Sequence, residues 1–129
     1  MMWEIYPKGI YDMLTRIWKD YSPTCEIMIT ENGMPLADTV DADGCVQDEI
    51  RIGYIKDHLT QIHLAMQSGV PVKGYFHWSF LDNFEWALGY TPRFGLVHID
   101  YSTLQRTIKE SCRWFQRVIQ ANGFPHENG

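Results

Sequence analysis

The sequence predicts an α/β fold in which parallel strands alternate with helices, because two apolar patterns take turns along the chain. Short, mostly apolar runs at residues 26–30 and 72–79 are typical of strands buried in a parallel sheet. Around them, apolar residues recur at helical spacing before residue 22, from about 48 to 68, and beyond 107. Hydrophobic residues make up 45% of the 129 residues and aromatic residues 14%, which favours a packed core over a disordered chain.

The first helix is expected to begin at Pro7, whose fixed φ suits the first helical position, and to end at Ser22-Pro23. The first strand is expected at residues 26–30, and it ends at the turn-forming ENG of residues 31–33. The apolar stripe of this helix comprises Ile10, Leu14, Ile17, Trp18 and Tyr21.

A polar loop rich in Asp and Gly, residues 38–48, leads to the second helix. This helix is expected to start at a cap, Asp48, and to run to Ser68, with Gly69 closing it. The second strand, residues 72–79, follows. Inward-facing positions of the second helix are Ile52, Ile55, Leu59, Ile62 and Met66.

The remainder is expected to be a long aromatic loop, residues 80–98, and a third helix. The helix should begin near residues 107–110, where TIKE matches a capping box, and end at Asn122-Gly123. Residues 1–123 would then be the folded part and 124–129 a flexible tail. The third helix is expected to face inward through Ile108, Phe115, Val118 and Ile119.

Two parallel strands are too few for a stable sheet, and a parallel sheet needs cover on both faces. A complete (β/α)8 barrel takes about 250 residues, whereas this chain holds two βα units and one preceding helix. We therefore expect a portion of a TIM barrel. Its partner would be the remaining N-terminal part of that barrel, or self-association would cover the open faces.

Charge and cysteine usage exclude several classes of protein. The formal net charge is -5 and the basic residues are scattered, so a nucleic-acid partner is not expected. No apolar run approaches the ~20 residues that cross a bilayer, so no membrane partner is expected either. The odd set of Cys25, Cys45 and Cys112 lacks a C-x-x-C and favours a reducing, cytoplasmic setting. A secreted parent without its leader would show the same pattern.

Histidine placement favours packing or surface roles over metal binding. His58 and His63 are five residues apart and do not share a helix face well, and His77 stands between two strand aromatics. We expect no metal and no cofactor.

The candidate chemistry begins at Glu31, which ends the first strand. In a parallel barrel the carboxyl ends of the strands carry the active site, so a carboxylate there is well placed to attack an anomeric carbon. Position alone favours a solvated glutamate at the start of a loop, which is the commoner case.

A second feature is the segment WSFLDNFEW at residues 78–86, where aromatics are interleaved with carboxylates. Aromatic faces stack on the C–H faces of sugars and carboxylates accept hydrogen bonds from hydroxyls, so the segment favours a sugar site. The alternative is ordinary packing of these rings against the end of the barrel.

Three segments, in this order and spacing, resemble family 1 glycoside hydrolases over residues 3–123. ITENG at residues 29–33 is similar to the nucleophile motif of that family. GYFHWS at 74–79 with DNFEW at 82–86 is similar to its last barrel strand and sugar-binding loop, and RFGLV at 93–97 with IDY at 99–101 to the following segment. The resemblance implies that the chain is the C-terminal portion of the barrel: its last two βα units plus a preceding helix.

The resemblance also implies a role for each matching residue. Glu31 would be the nucleophile, Trp78 a platform beneath the sugar, Glu85 an acceptor for its outer hydroxyls, and Trp86 an indole N–H donor. Phe94 would line the pocket near the exocyclic carbon. Asn32 and Asn83 would support this structure.

The substrate implied by the resemblance is an unphosphorylated β-glycoside. Family members that take 6-phosphorylated sugars usually lack the acidic residue where Glu85 stands, since a carboxylate would repel the phosphate. β-Glucosides are expected first, with β-galactosides and β-fucosides next. The family's acid/base lies in an earlier Thr-Asn-Glu-Pro motif, and this chain has no Asn-Glu pair. A non-catalytic carbohydrate-binding or scaffold fragment is the alternative.

Overall fold

The computed structural model of the protein describes residues 3–21 and 24–125. The predicted helix stop at Ser22-Pro23 and most of the predicted tail, residues 126–129, lie outside these ranges. The elements in chain order are α1 (Lys8–Tyr21), β1 (Ile27–Asn32), α2 (Glu49–Gln67), β2 (Val72–His77), a short 3-10 helix (Trp86–Leu88), β3 (Val97–Ile99), β4 (Arg106–Ile108) and α3 (Glu110–Ala121).

Strands β1 and β2 pair in parallel, with Ile27 opposite Val72 and Ile29 opposite Tyr75, and α2 makes the crossover between them. This is the βαβ arrangement that the alternating patterns predict. The carboxyl ends of both strands consequently lie at the same edge of the sheet, where Asn32 stands opposite His77.

Only one face of this sheet is covered by the described chain. Helices α1 and α2 pack on it around Leu14, Ile62 and Val72, which are buried together. On the other face, Met28 and Phe76 are about half exposed. Partly buried residues that extend the core are Ile10, Tyr11, Trp18, Ile27, Ile29, Leu59 and Tyr75.

Several positions expected to face the core are instead exposed. Tyr21 is 78% exposed because it ends α1, and Met66 is exposed because its neighbour Ala65 makes the buried contact. Ile108 is exposed in β4, and Ile119 is exposed because nothing described covers the last turn of α3.

The interval after β2 is more structured than the predicted long loop. Val97–Ile99 pairs antiparallel with Arg106–Ile108, so Thr107 lies in a strand opposite His98. The predicted capping box is therefore wrong: α3 begins at Glu110, with Lys109 at its N-cap and no side-chain cap. Strands of three residues are too short to show the alternation that reveals a strand in sequence.

The ends of the other helices follow the prediction more closely. Asp48 does occupy the N-cap position of α2, but its carboxylate bonds to Arg51 and Ser111 and caps no amide of that helix. Asn122 ends α3 in the left-handed conformation, as its Asn-Gly sequence predicts. Among the described residues, no helix is both long and apolar enough to cross a membrane.

Candidate active site

The predicted nucleophile and the predicted sugar platform follow adjacent strand ends. Glu31 is the penultimate residue of β1, and Trp78 comes directly after β2. The Trp78 backbone N–H donates to the carbonyl oxygen of Asn32 at 3.0 Å, which ties the two ends together. The sequence-predicted pair therefore lies at one edge of the sheet, where parallel folds place their chemistry.

Glu31 is exposed, and its carboxylate has no hydrogen bond or ion pair within residues 3–21 and 24–125. Its neighbour Asn32 is held by two tyrosines. The Asn32 side chain donates to the Tyr54 hydroxyl at 3.1 Å and accepts from the Tyr75 hydroxyl at 2.9 Å. Burial raises the pKa of both phenols, so they remain protonated. Asn32 thus supports the strand end, as predicted.

Glycine is required at position 33 because the chain passes very close to Trp78 there. A Cβ atom on Gly33 would stand 1.8 Å from the Trp78 carbonyl oxygen, far inside van der Waals contact. The Trp78–Ser79 peptide bond at this approach is cis. Gly33 therefore permits the two strand ends to converge.

The aromatic segment that follows β2, residues 78–86, folds into a loop at the edge of the sheet. We call this loop the rim. Asn83 donates from its side chain to Ser79 Oγ and to the Leu81 carbonyl, both at 3.0 Å, which confirms its supporting role. The Glu85 N–H donates to the Gly89 carbonyl at 2.7 Å, closing the loop around the short 3-10 helix. Trp86 is 83% exposed and Trp78 is 38% exposed, so both rings present free faces.

Phe94 is placed differently from the other predicted contacts. It is only 4% exposed, and its ring lies against Trp3 with the centroids 6.1 Å apart. Its carbonyl oxygen accepts the Ser79 N–H at 3.2 Å. Phe94 thus packs behind the rim in this chain, and its contact with a sugar stays a prediction.

His77 packs in the interior. Its Nε2 lies 3.4 Å from the Phe94 carbonyl oxygen. Burial, with a smaller effect from the nearby Arg51 charge, lowers the pKa of His77 to about 4. The ring is therefore neutral at physiological pH. No group of three or more potential ligands within the described residues has the geometry of a metal site.

A buried cluster of charges supports the rim from below. We call it the charge cluster, and its three carboxylates balance its three cations: Asp38, Asp48, Arg51, Asp82, Arg93 and Lys109.

Within this cluster, Asp82 accepts from Lys109 Nζ at 2.9 Å and from Arg93 Nη1 at 2.8 Å. It also accepts the backbone N–H groups of Gly95 at 2.9 Å and Ile99 at 3.3 Å. Burial alone would raise the pKa of Asp82, but Lys109 and the other donors hold it below its ordinary value. Asp82 is therefore an ionised anchor at the start of the segment that carries Glu85.

Most of the charge cluster has no signal in the sequence. Lys109 and Arg51 are single charges near the starts of helices, where a charged residue is ordinarily solvated. Asp38 and Asp48 stand at the two ends of a loop that its polar sequence predicts to be exposed. Their burial follows from the packing of that loop between α2 and the start of α3.

One opening in the surface lies away from the predicted residues. It has a volume of about 250 Å³, and its walls contain none of the four predicted sugar contacts or Glu31. The lining residues are Val40, Arg93, His98, Asp100, Gln105 and Thr107.

The strand-end arrangement can be compared with known proteins. The sequence model of Glycosyl hydrolase family 1 matches residues 1–124. The chain belongs to this family. A solved structure, the family 1 β-glucosidase from Thermotoga maritima in complex with isofagomine lactam, superposes with a TM-score of 0.93 at 51% identity, covering 95% of this chain and 28% of that one.

Curated relatives in the family include proteins named β-glucosidase and proteins named 6-phospho-β-galactosidase. β-Glucosidase A of Thermotoga maritima is 52% identical over 95% of this chain and 27% of its own length. A 6-phospho-β-galactosidase of Streptococcus equi subsp. zooepidemicus is 47% identical over 90% of this chain and 24% of its own length. The chain therefore spans about a quarter of the family members that it matches, and the neighbours support a partial barrel.

Proposed function

We propose that this chain is the C-terminal portion of a (β/α)8 barrel, its last two βα units plus a preceding helix, and that the whole barrel is a retaining β-glycosidase. Its substrate would be a terminal, unphosphorylated β-D-glucoside. The observation that carries the proposal is the placement of Glu31, in a family 1 chain, at the carboxyl end of β1 beside Trp78.

Glu31 would act as the nucleophile. Its carboxylate attacks the anomeric carbon while the bond to the leaving oxygen breaks, and a covalent glycosyl-enzyme forms. Water then releases the sugar with retained configuration. A retaining enzyme needs a second carboxyl group about 5–5.5 Å from the first, as the acid/base. That group would come from the part of the barrel outside this chain. Without that part, this chain would be inactive.

The sugar would be held by the rim. The exposed face of Trp78 suits stacking on a pyranose ring, and the exposed indole of Trp86 can donate its N–H. Glu85 has a carboxylate without a hydrogen bond or ion pair in the described part of the chain, so it can accept from sugar hydroxyls. Phe94 would line the pocket near the exocyclic carbon once Trp3 and its neighbours take their places in the barrel.

The carboxylate of Glu85 also favours an unphosphorylated substrate over a phosphorylated one. A phosphate dianion on the exocyclic oxygen would meet this carboxylate, and like charges at short range repel strongly in a site that excludes water. The relatives named 6-phospho-β-galactosidase make phosphorylated galactosides the competing substrate class. The two classes differ by one charged group, so a direct assay separates them.

The test uses the assembled enzyme, by which we mean this chain joined to the rest of its barrel. A chimera with the preceding part of the Thermotoga maritima relative serves the same purpose. Aryl β-glucoside, β-galactoside, β-fucoside and 6-phospho-β-galactoside are assayed side by side. Preferred hydrolysis of the β-glucoside with retained configuration is expected. Preference for the phosphorylated substrate would contradict the substrate assignment. Sugar binding without turnover would favour the carbohydrate-binding alternative.

Glu85→Ala in the assembled enzyme is expected to lower kcat/KM for an aryl β-glucoside by about a hundredfold. The reason is that hydrogen bonds from hydroxyls to a carboxylate contribute about 1.5–3 kcal/mol each when a charged acceptor is involved. The exposed Glu49, in the first turn of α2, is the matched control. Glu49→Ala should leave kcat/KM unchanged, and an equally silent Glu85→Ala would remove Glu85 from the site.

The chain by itself is expected to self-associate or to bind the rest of the barrel. The face of the sheet that carries Met28, Phe76 and Trp78 has no cover in the described chain, and both β1 and β2 have an open edge. The isolated chain should bind a hydrophobic dye such as ANS and sediment as oligomers. Adding the missing barrel portion should suppress both. A sharp cooperative melt of a monomer would contradict this prediction.

We also propose a cytoplasmic setting. Cys25, Cys45 and Cys112 are all free thiols in the structure, which a reducing compartment would preserve. We propose no nucleic-acid or membrane partner.

A further inference from the structure

We propose that Lys109 is a positioning residue for Glu85: it holds Asp82 in place and so fixes the segment that presents the Glu85 carboxylate to the sugar. This inference rests on the proposed function of the rim. Lys109 lies outside the strand ends and outside the motifs that identify the family, 24 positions along the chain from Glu85.

The first observation is the burial of Lys109. Its side chain is 0% exposed, and its Nζ contacts Asp38 Oδ2 and Asp82 Oδ1. Its backbone is fixed as well, because the Lys109 N–H donates to the Leu96 carbonyl at 3.1 Å. An amine taken wholly out of water needs anionic partners, so Lys109 constrains where both carboxylates lie.

The second observation is that Asp82 lies near the start of the rim, before Glu85 in the chain. It binds Lys109, Arg93 and the backbone N–H groups of Gly95 and Ile99, so its carboxylate cannot shift without breaking several contacts. A Cβ atom on Gly95 would stand 2.3 Å from the Asp82 backbone nitrogen, so the two segments also touch directly.

A third set of contacts extends from Arg93 to the far side of Glu85. The Arg93 guanidinium lies 4.9 Å from the centre of the Tyr101 ring, and Tyr101 lies 4.5 Å from Tyr90. Tyr90 packs against Phe84 at 5.4 Å, and the Tyr101 hydroxyl donates to the Asn83 carbonyl at 3.3 Å. Both residues that precede Glu85 are therefore connected to the charge cluster.

Glu85 depends on these contacts because its own carboxylate has no partner in residues 3–21 and 24–125. The direction of its side chain is set by the backbone on either side. A small displacement of a sugar-contacting group costs far more in catalysis than in folding, because the bound geometry is matched to the transition state.

The test compares variants of the assembled enzyme in which the charge cluster stays neutral. Lys109→Met alone leaves three carboxylates with two cations and threatens folding. Lys109→Met combined with Asp38→Asn leaves two of each, Asp48 and Asp82 with Arg51 and Arg93. Ser111→Ala and Lys73→Met are the two controls. The Ser111 hydroxyl contacts Asp48 and not Asp82, and Lys73 lies on the exposed surface.

The combined variant is expected to lower kcat/KM for an aryl β-glucoside by about 10- to 100-fold, and the two controls to change it less than about threefold. In a Glu85→Ala background the same combined change should cost less than about threefold, because the group that Lys109 positions is gone. A purely structural role predicts the same loss in both backgrounds, and that result would overturn the inference.

Hydrogen exchange gives a second measurement that needs no activity. Amides of residues 83–90 should exchange faster in the combined variant than in its parent, while those of α1 stay unchanged. Unchanged exchange at 83–90 would overturn the inference even if activity falls. An assembled parent that hydrolyses no β-glycoside refutes the proposed function instead, and exchange still decides whether Lys109 holds the segment.

Discussion

Glu31→Gln is expected to abolish turnover by the assembled enzyme, with kcat falling on the order of 10⁴-fold or more. An amide has nearly the shape of the carboxylate but is a very poor nucleophile, so the covalent step is lost. Sugar binding should remain, because Trp78, Glu85 and Trp86 are unaltered. The measurement is kcat for an aryl β-glucoside together with the dissociation constant of a competitive inhibitor.

Glu26 provides the matched control for Glu31. It precedes the same strand, and within residues 3–21 and 24–125 its carboxylate pairs with Lys73 at 3.8 Å in an exposed ion pair. Glu26→Gln should leave kcat and the free energy of unfolding unchanged, since exposed pairs contribute about 0–1 kcal/mol. A comparable loss of kcat in both variants would mean that the strand, and not the chemistry of Glu31, had been damaged.

A covalent trap makes the same assignment independently. A 2-fluoro-glycoside that reacts quickly and hydrolyses slowly should leave its sugar on Glu31 of the assembled enzyme, as peptide mapping would reveal. The isolated chain should stay unlabelled, because no acid assists departure of the leaving group. A label on Glu26, Glu49 or Glu85 would refute the assignment.

Arg51→Met is expected to lower the free energy of unfolding of the assembled enzyme by about 3–5 kcal/mol. Arg51 is 0% exposed, and its guanidinium binds Asp48, Asp38 at 2.8 Å and the Arg93 carbonyl at 2.7 Å. Methionine fills similar space but leaves two buried carboxylates short of a cation. Urea unfolding measures the effect as a lower midpoint concentration at unchanged slope.

Arg16 is the control for Arg51. Its guanidinium pairs with Asp20 at 3.2 Å on the exposed side of α1. Arg16→Met removes the same charge and should cost less than about 1 kcal/mol, since water already solvates both partners. If Arg51→Met proves equally mild, the charge cluster does not stabilise the fold.

Local pattern was sufficient for α1, α2 and the two parallel strands. The spacing of apolar residues predicts α1 and α2, and α2, β1 and β2 begin and end within one or two residues of the expected places. Asn122 ends α3 for a reason visible in its own chemistry, the ease with which asparagine adopts left-handed backbone. The short hairpin of β3 and β4 escaped prediction because three residues per strand carry no recognisable period.

Sequence alone was enough to predict the family, the parallel βα order and the position of Glu31 at a strand end, because each of these depends on residues close together in the chain. The folded structure was needed to reveal that Phe94 is buried against Trp3, and that Lys109 contacts Asp82 and Asp38 across 27 and 71 positions of sequence. Burial of a charge depends on what packs over it, and the covering segments are distant in sequence. The charge cluster that supports the rim can therefore be recognised only in the folded structure.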